Sequence, residues 1–452
     1  MAADPTQSIT KHTYSSPLVA DLKHALAQLA DLPPSLNVPY LSVALDWRIE
    51  GTKPGRQPPL ELRSSERNTA PREAGGSWRP SVEVFDVESK RLIEPYGPHG
   101  QAFDSLTADA ERIRNSFDTD LDPAAKGAFY TACSAKDVFE SFAVGAPTRT
   151  RLQVGPVPML YEIVRLIENN PVYAVLLADQ RDATLSFIKD QTIAQDVELE
   201  SSGYPRKQQQ GGWSQQRYQA RADERLDAFA RDIAEQTQDA LNNLNVDMLI
   251  VAGEEVITTA LSDQFHETVK DRIIATIPLD IRTNDADLIS VTLPTAAQAE
   301  RKREAEAVRL LKDAIGVGNQ GVAGAEGTIL ALQAGEVQTL VLADGFNGQG
   351  WADFAMPAYG VGAIPDEHPL GGDVSAITEL PLEEILIRLA LASDVEIQVV
   401  HPTMPSSEAD LNANAVTTGE PLETDAARQL QELGGVGAIY RFALEPAPSE
   451  RV

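Results

Sequence analysis

The sequence is short of basic residues and of cysteine. Its 452 residues contain 38 Lys and Arg against 67 Asp and Glu, which gives a formal net charge of −29. A surface of this charge repels nucleic acid unless basic residues are concentrated in one place. Adaptation to a salty cytoplasm is a second interpretation of the acidity. Cys133 is the only cysteine, which excludes an internal disulfide and a cysteine-based zinc site.

Long apolar runs and metal-binding patterns are also missing. The run VYAVLLA has the length of a buried strand, far below the ~18 residues that a membrane span requires. The opening MAADPTQSITKHTYSSP has no apolar core of the kind found in a signal peptide. The six histidines are scattered, so we expect no metal site and no cofactor. These absences predict a cytoplasmic protein that binds neither membranes nor DNA.

Several motifs of nucleotide-binding and hydrolytic enzymes are absent or occur in the wrong context. The sequence contains no P-loop and no G-x-S-x-G nucleophile elbow. GVGNQG, residues 316–321, matches G-x-G-x-x-G but follows a charged helical pattern, whereas a dinucleotide site requires a preceding strand. We interpret this segment as the turn at a helix C-terminus.

Helical and strand patterns alternate along the chain and predict an α/β fold with three domains in tandem. The expected boundaries are 16–150, 154–294 and 296–448. PVYAVLLADQRDATLSFIKD predicts two strands joined by a polar turn, and a helix is expected from about Gln215 to Leu244. Residues 50–80, rich in Pro, Gly, Ser and Arg, predict a surface excursion.

The segment PRKQQQGGWSQQRYQAR, residues 205–221, differs from the rest of the acidic chain because it is basic and has no acidic residue. The glycine pair permits close approach to a partner's backbone, the basic side chains can pair with phosphates, and the aromatic rings can stack on bases. The predicted RNA-binding residues are Arg206, Lys207, Trp213, Ser214, Arg217, Tyr218 and Arg221. The alternative is a solvated loop whose Trp213 packs against its own domain.

This segment and the helix after it resemble the central loop of the archaeo-eukaryotic class 1 peptide release factors. In that family a Gly-Gly-Gln-Ser segment leads into an Arg-aromatic helix start. The residues that match it in type and spacing are Gly211, Gly212, Ser214, Arg217 and Tyr218. Further segments resemble the family's bacterial branch, in order: LDPAAKGAFYTACSAKDVFESF, NPVYAVLLADQRDATLSFI, VDMLIVAGEE, VQTLVLADGF and GGVGAIYRF.

The resemblance implies the architecture and partners of this family and of its relative Pelota. It implies a release-factor-like N-terminal domain, a central domain that carries the loop into the peptidyl transferase centre, and a C-terminal domain similar to small RNA-binding ribosomal proteins. The implied partners are the ribosome, through ribosomal RNA and transfer RNA, and a translational GTPase.

Two departures from the family pattern bear on activity. Trp213 stands where the family has the glutamine that orders a water against the peptidyl-tRNA ester, and an indole donates only through its N–H. Gln215, two residues later, is the remaining candidate for that role, with Gly211 and Gly212 as candidate oxyanion donors. The first domain also lacks the Asn-Ile-Lys-Ser segment used in stop-codon reading, so we do not expect termination at stop codons.

Three hypotheses therefore stay open. The first is a ribosome-rescue factor that occupies the A site and cleaves peptidyl-tRNA. The second is a non-enzymatic occupant of the same site, a hibernation or stress factor similar to Pelota. The third is a cytoplasmic adaptor that binds basic proteins and has no role at the ribosome.

Overall fold

The computed structural model describes residues 22–48, 79–119, 121, 125–189, 191–199, 215–244, 246–318, 320–402 and 425–442. The side chains of residues 118–119 and 215–223 lie outside this description. The predicted excursion at 50–80 falls almost wholly outside the described residues.

Helices and strands alternate along the described chain, as the sequence predicts. The helices are α1 (Leu22–Ala30), α2 (Pro80–Ile93), α3 (Gln101–Thr119), α4 (Tyr161–Asn169), α5 (Gln215–Leu244), α6 (Glu255–Gln264), α7 (Glu267–Lys270), α8 (Asp285–Val317), α9 (Ala325–Gln333), α10 (Leu382–Ala392) and α11 (Asp425–Glu432). The strands are β1 (Tyr40–Asp46), β2 (Gly127–Cys133), β3 (Val138–Val144), β4 (Arg151–Gly155), β5 (Tyr173–Ala178), β6 (Ala183–Lys189), β7 (Thr192–Leu199), β8 (Leu249–Gly253), β9 (Ile273–Ile277), β10 (Gly321–Ala323), β11 (Val337–Ala343), β12 (Gln349–Asp353), β13 (Ala358–Val361), β14 (Thr378–Pro381), β15 (Glu396–Val400) and β16 (Val436–Tyr440).

The described residues cluster into two compact units. The central unit contains Asn170–Arg303, and the bipartite unit contains the described residues before 170 and after 303. The mixed α/β class is confirmed. The predicted division into three domains at 16–150, 154–294 and 296–448 stays a prediction.

The central unit is built on a five-stranded sheet of order β7-β6-β5-β8-β9, in which β5, β8 and β9 run parallel. Alternate residues of β5 point to opposite faces, as the two-residue period of a strand requires. Ala174 and Leu176 join one apolar cluster with α5, while Tyr173 and Val175 join another with α8. Burial on both faces explains why this strand is a continuous apolar run in the sequence.

The bipartite unit contains an antiparallel sheet of order β3-β2-β1-β4 and two further sheets, β10-β16-β11-β15 and β13-β12-β14. One apolar cluster draws on both parts of this unit. It includes Leu26 and Leu29 of α1, Leu166 of α4, and Ile385 and Leu386 of α10. The residues before 170 and after 303 therefore share one core.

Buried ion pairs cross the same junction. Asp344, at the end of β11, accepts from Arg165 Nε at 2.8 Å and from Arg149 Nη2 at 2.9 Å. Glu384 of α10 accepts from the backbone N–H groups of Leu160 at 2.9 Å and Tyr161 at 3.1 Å. Asp344, Arg165 and Glu384 are desolvated, so each of these charges depends on its partners, whereas Arg149 is 49% exposed.

The long helix and the strand pair predicted in the central region are confirmed. Helix α5 runs from Gln215 to Leu244, and β5 and β6 form an antiparallel pair joined by the turn at 179–182. GVGNQG begins at the end of α8, where Gly318 has a φ of 77°, which confirms the predicted helix C-terminal turn. Helix α2 and the small sheet β13-β12-β14 were not predicted from the sequence.

Candidate functional site

The predicted loop connects two well-defined elements of the central unit. Strand β7 ends at Leu199 and helix α5 begins at Gln215. Arg206, Lys207, Gly211, Gly212, Trp213 and Ser214 lie outside the described residues. Gln215, Arg217, Tyr218 and Arg221 lie in the first two turns of α5, where the backbone is helical and the side chains are not described. We call residues 205–221 the finger.

The register of the sheet places the start of the connection at one edge of the central unit. Leu199 of β7 pairs with Ala183 of β6, Ala183 pairs with Ala178 of β5, and Ala178 pairs with Gly253 of β8. Ala178 and Gly253 are the carboxyl ends of two parallel strands. In open α/β sheets this edge is where ligand-binding segments are found.

The backbone of β8 approaches β5 very closely at this edge. A Cβ atom at Gly253 would lie 2.2 Å from the carbonyl oxygen of Ala178, and Gly253 has a φ of 150°. Only glycine satisfies both conditions. The sequence VDMLIVAG therefore ends in a glycine because β8 must pack tightly against β5 at this edge of the sheet.

Helix α5 extends beyond the described apolar cluster on which it packs. Its members of that cluster run from the partly buried Leu226 to Leu241, an axial rise of about 22 Å at 1.5 Å per residue. From Leu226 back to Gln215 the ideal rise is about 16 Å. Residues 215–221 of the finger thus form the end of the helix that lies beyond the buried stripe.

The first turn of α5 contains no acidic residue. Helices commonly place Asp or Glu there, because the free N–H groups and the macrodipole give that end a partial positive charge. In this sequence Gln215, Gln216, Arg217 and Tyr218 occupy the turn. No acidic residue of this turn offsets the partial positive charge, and Arg217 adds a full positive charge to it.

The bipartite unit contains a second polar cluster that sequence reasoning did not predict. Tyr161 Oη lies 3.2 Å from Asp344 Oδ1 and accepts from the N–H of Gly345 at 2.8 Å. Arg151 Nη2 donates to Glu383 at 2.8 Å. One feature of the sequence could have indicated this cluster. Glu162 and Arg165 are two charged residues on the otherwise apolar face of α4.

The charges of this cluster are arranged to neutralise one another. Burial alone would raise the pKa of Asp344, but Arg165, His401 and Arg149 outweigh it and hold that pKa below its ordinary value. Burial raises the pKa of Glu384, despite its two backbone donors and the nearby Arg388. Because each carboxylate is directed at a basic or N–H partner, the cluster fits a structural role better than a catalytic one.

Other classes of site find no support among the described residues. Within them, no group of three or more His, Cys, Asp and Glu side chains is placed to hold a metal ion. No helix of the described parts is long and apolar enough to cross a membrane.

The central region matches a known family. Residues 158–301 match the sequence model of bacterial archaeo-eukaryotic release factor family 10. This segment is therefore similar to the bacterial branch of the archaeo-eukaryotic release factors. It begins before α4 and ends within α8, so it includes the whole sheet of the central unit, the connection after β7 and helix α5. No curated protein matches the sequence significantly.

Solved structures of translation factors are similar to the chain at low identity. The archaeal translation termination factor aRF1 is 15% identical, with 93% of this chain and 97% of that chain covered and a TM-score of 0.23. The Pelota protein of Thermoplasma acidophilum is 16% identical, with 70% and 80% covered and a TM-score of 0.23. S. cerevisiae Dom34 is 10% identical, with 71% and 80% covered and a TM-score of 0.36.

Proposed function

We propose that this release-factor-like protein engages the ribosome and presents the finger toward the peptidyl transferase centre from the A site. The observation that carries the proposal is the position of the finger in the matched family segment. In that segment the finger follows the end of β7, at the carboxyl edge of the parallel strands, and it includes the first residues of the 30-residue helix α5. This arrangement supports a projecting element, as insertion among nucleotides requires.

The chemistry of the finger fits ribosomal and transfer RNA. Arg206, Lys207, Arg217 and Arg221 supply four positive charges to a chain of net charge −29, which concentrates phosphate attraction in one segment. Trp213 and Tyr218 supply two flat rings for base stacking, each worth about 1–3 kcal/mol. Gly211 and Gly212 let the backbone approach a partner without a side chain between them.

Co-sedimentation with ribosomes over a series of salt concentrations tests this proposal. The variant Arg206→Ala/Lys207→Ala should bind more weakly and show a shallower dependence on salt, by about 0.7–0.9 in the log–log slope for each phosphate that it no longer neutralises. Arg91→Ala/Arg428→Ala is the matched control, because it removes two exposed cations outside the finger. No association of the wild type at low salt would instead support the adaptor hypothesis.

Cleavage of peptidyl-tRNA is a second candidate function, favoured by the position of Gln215. Gln215 is the first residue of α5, three residues after Gly212, at the positive end of the helix. It would orient a water, while the amides of Gly211 and Gly212 would stabilise the developing oxyanion. Stalled ribosome–peptidyl-tRNA complexes should then release peptide with the wild type and lose release with Gln215→Ala. Equal release by both proteins would exclude this role for Gln215.

Occupation of the site without chemistry is favoured by Trp213, which replaces the family's glutamine with a ring suited to stacking. In that case the protein should bind idle ribosomes that lack peptidyl-tRNA as tightly as stalled ones. It should release no peptide from either. A hibernation or stress role follows from that result. A translational GTPase as partner stays a prediction.

A further inference from the structure

The bipartite unit contains a long stretch with no exposed positive charge. Between Lys312 and Arg388 the chain has no Lys or Arg in 75 residues, while it has eleven Asp and Glu. Arg388 itself is partly buried, and it donates to the carbonyl oxygen of Pro158. Asp344, Asp353, Glu383 and Glu384 are buried, and the charges that this stretch exposes around α9, β12, β13 and β14 are all negative.

Large apolar side chains are exposed on this same part of the unit. Leu330 of α9 is 62% exposed, Leu370 is 58% exposed and Met356 is 39% exposed. Helix α9 buries Ile329, Ala331 and Leu332 but turns Glu326 and Leu330 outward, one turn apart on the same face. A single exposed leucine is ordinary on a protein surface, whereas several grouped together mark an interaction site.

Two contacts join the segments that carry these side chains. Gln333, on the Leu330 side of α9, donates through Nε2 to the carbonyl oxygen of Pro357 at 3.4 Å, next to Met356. A Cβ atom at Gly372 would lie 2.7 Å from Met356 Sδ, so Met356 packs against the loop that carries Leu370. The exposed members are Glu326, Leu330, Met356, Asp366, Glu367 and Leu370, which we call the acidic–apolar surface.

A buried side-chain pair holds two of the apolar residues in place. Asp353 Oδ1 accepts from the N–H of Met356 at 3.2 Å, and Asp353 Oδ2 lies 3.0 Å from His368 Nε2. His368 Nδ1 accepts from the N–H of Leu370 at 3.0 Å. Since Nδ1 is an acceptor, Nε2 carries the proton and donates to Asp353. The backbone at Met356 and at Leu370 is thus held in place before any partner binds, which lowers the entropy cost of binding.

We propose that the acidic–apolar surface of residues 326–373 docks a basic amphipathic segment of a partner protein. The carboxylates would pair with Lys or Arg of that segment, while Leu330, Met356 and Leu370 would contact its apolar side chains. Nucleic acid and anionic lipid are repelled by this charge, so a polypeptide is the occupant whose chemistry fits. The acidic–apolar surface belongs to the bipartite unit, and its binding of a peptide does not depend on the function proposed above.

Fluorescence anisotropy with two labelled peptides of equal charge tests the proposal without ribosomes. One peptide is an amphipathic sequence of Lys and Leu, and the other replaces every Leu with Ser. At physiological salt the full-length protein should bind the Lys–Leu peptide at least about tenfold more tightly. Equal affinity for the two peptides would overturn the proposal, because only a diffuse acidic field would then be acting.

Variants locate the binding. Leu330→Ser and Leu370→Ser should each lower the affinity for the Lys–Leu peptide several-fold. Asp366→Asn/Glu367→Gln should lower both this affinity and its dependence on salt concentration. Leu36→Ser is the matched control, because Leu36 is 55% exposed elsewhere in the same unit, and Trp213→Ala is the control for the finger. Unchanged affinity in the first three variants would overturn the proposal. So would dimerisation of the wild type that Leu370→Ser abolishes, since a second copy would then be the occupant.

Discussion

At the scale of single residues, buried ion pairs join the two parts of the bipartite unit. Removing one partner of such a pair should lower the free energy of unfolding substantially. The side chains of Arg165 and Asp344 are 4% and 3% exposed and pair at 2.8 Å. Asp344→Asn should lower the free energy of unfolding by about 3–5 kcal/mol, because the buried Arg165 then loses its closer carboxylate and keeps only Glu162, at 3.5 Å. Urea unfolding measures this loss.

A surface pair provides the control for that prediction. Asp313 pairs with Arg309 at 2.7 Å, but the two side chains are 61% and 57% exposed. Asp313→Asn should change the unfolding free energy by about 0–1 kcal/mol. Equal losses in the two variants would show that the junction pair is not desolvated.

The pH dependence of stability has a definite sign at Asp344. Its pKa is lower in the folded protein than the ordinary value of 3.8, so its contribution is complete above pH 3.8. That contribution is lost as the pH falls through the folded pKa. Below pH 3.8 the difference in stability between wild type and Asp344→Asn should therefore shrink. Urea midpoints measured across acidic pH would contradict this if the difference stayed constant.

At the scale of elements, the apolar periodicity of the sequence predicted a helix correctly where the repeat was long and regular. Helix α5 was predicted with its observed ends because Phe229, Ile233 and Leu241 repeat at helical spacing. The small sheet β13-β12-β14 could not be predicted, because its strands have four or five residues each and glycine replaces side chains at Gly350 and Gly360. The ring of Trp351 lies where a side chain at Gly360 would be.

We expect the position of the finger to depend on an unbroken helix between the finger and the buried residues of α5. Ala222→Pro removes a backbone N–H and clashes with the preceding turn, at a cost of about 3 kcal/mol to the helix. It lies seven residues before Phe229, so the central unit should stay folded while ribosome binding is lost. Co-sedimentation and thermal unfolding together check this, with Ala222→Ser as the control. Undiminished ribosome binding would show that the finger acts without the helix.

At the scale of the whole molecule, the chain combines segments that are far apart in sequence. The shared core joins α10 to α1 and α4, which lie more than 200 positions earlier in the sequence. Apolar periodicity reports neighbours in sequence and gives no signal for such distant contacts. The fold class and the ends of α5 could be predicted from the sequence, and the pairing of the outer segments could not.

This shared core predicts how fragments behave. Residues 170–303 should fold alone, since their core contains no residue of the other unit. Residues 20–169 should not unfold cooperatively unless residues 304–442 are co-expressed and copurify with them. Circular dichroism melts of each fragment check this. A sharp melt of 20–169 alone would contradict the single shared core.

A cryo-electron microscopy map of this protein on ribosomes that carry P-site peptidyl-tRNA tests the proposed role of the finger most directly. We expect density for residues 211–213 in contact with bases of the peptidyl transferase centre or with the terminal adenosine of the transfer RNA. Ribosome-bound protein with Trp213 packed against its own central unit, and the finger away from RNA, would contradict it.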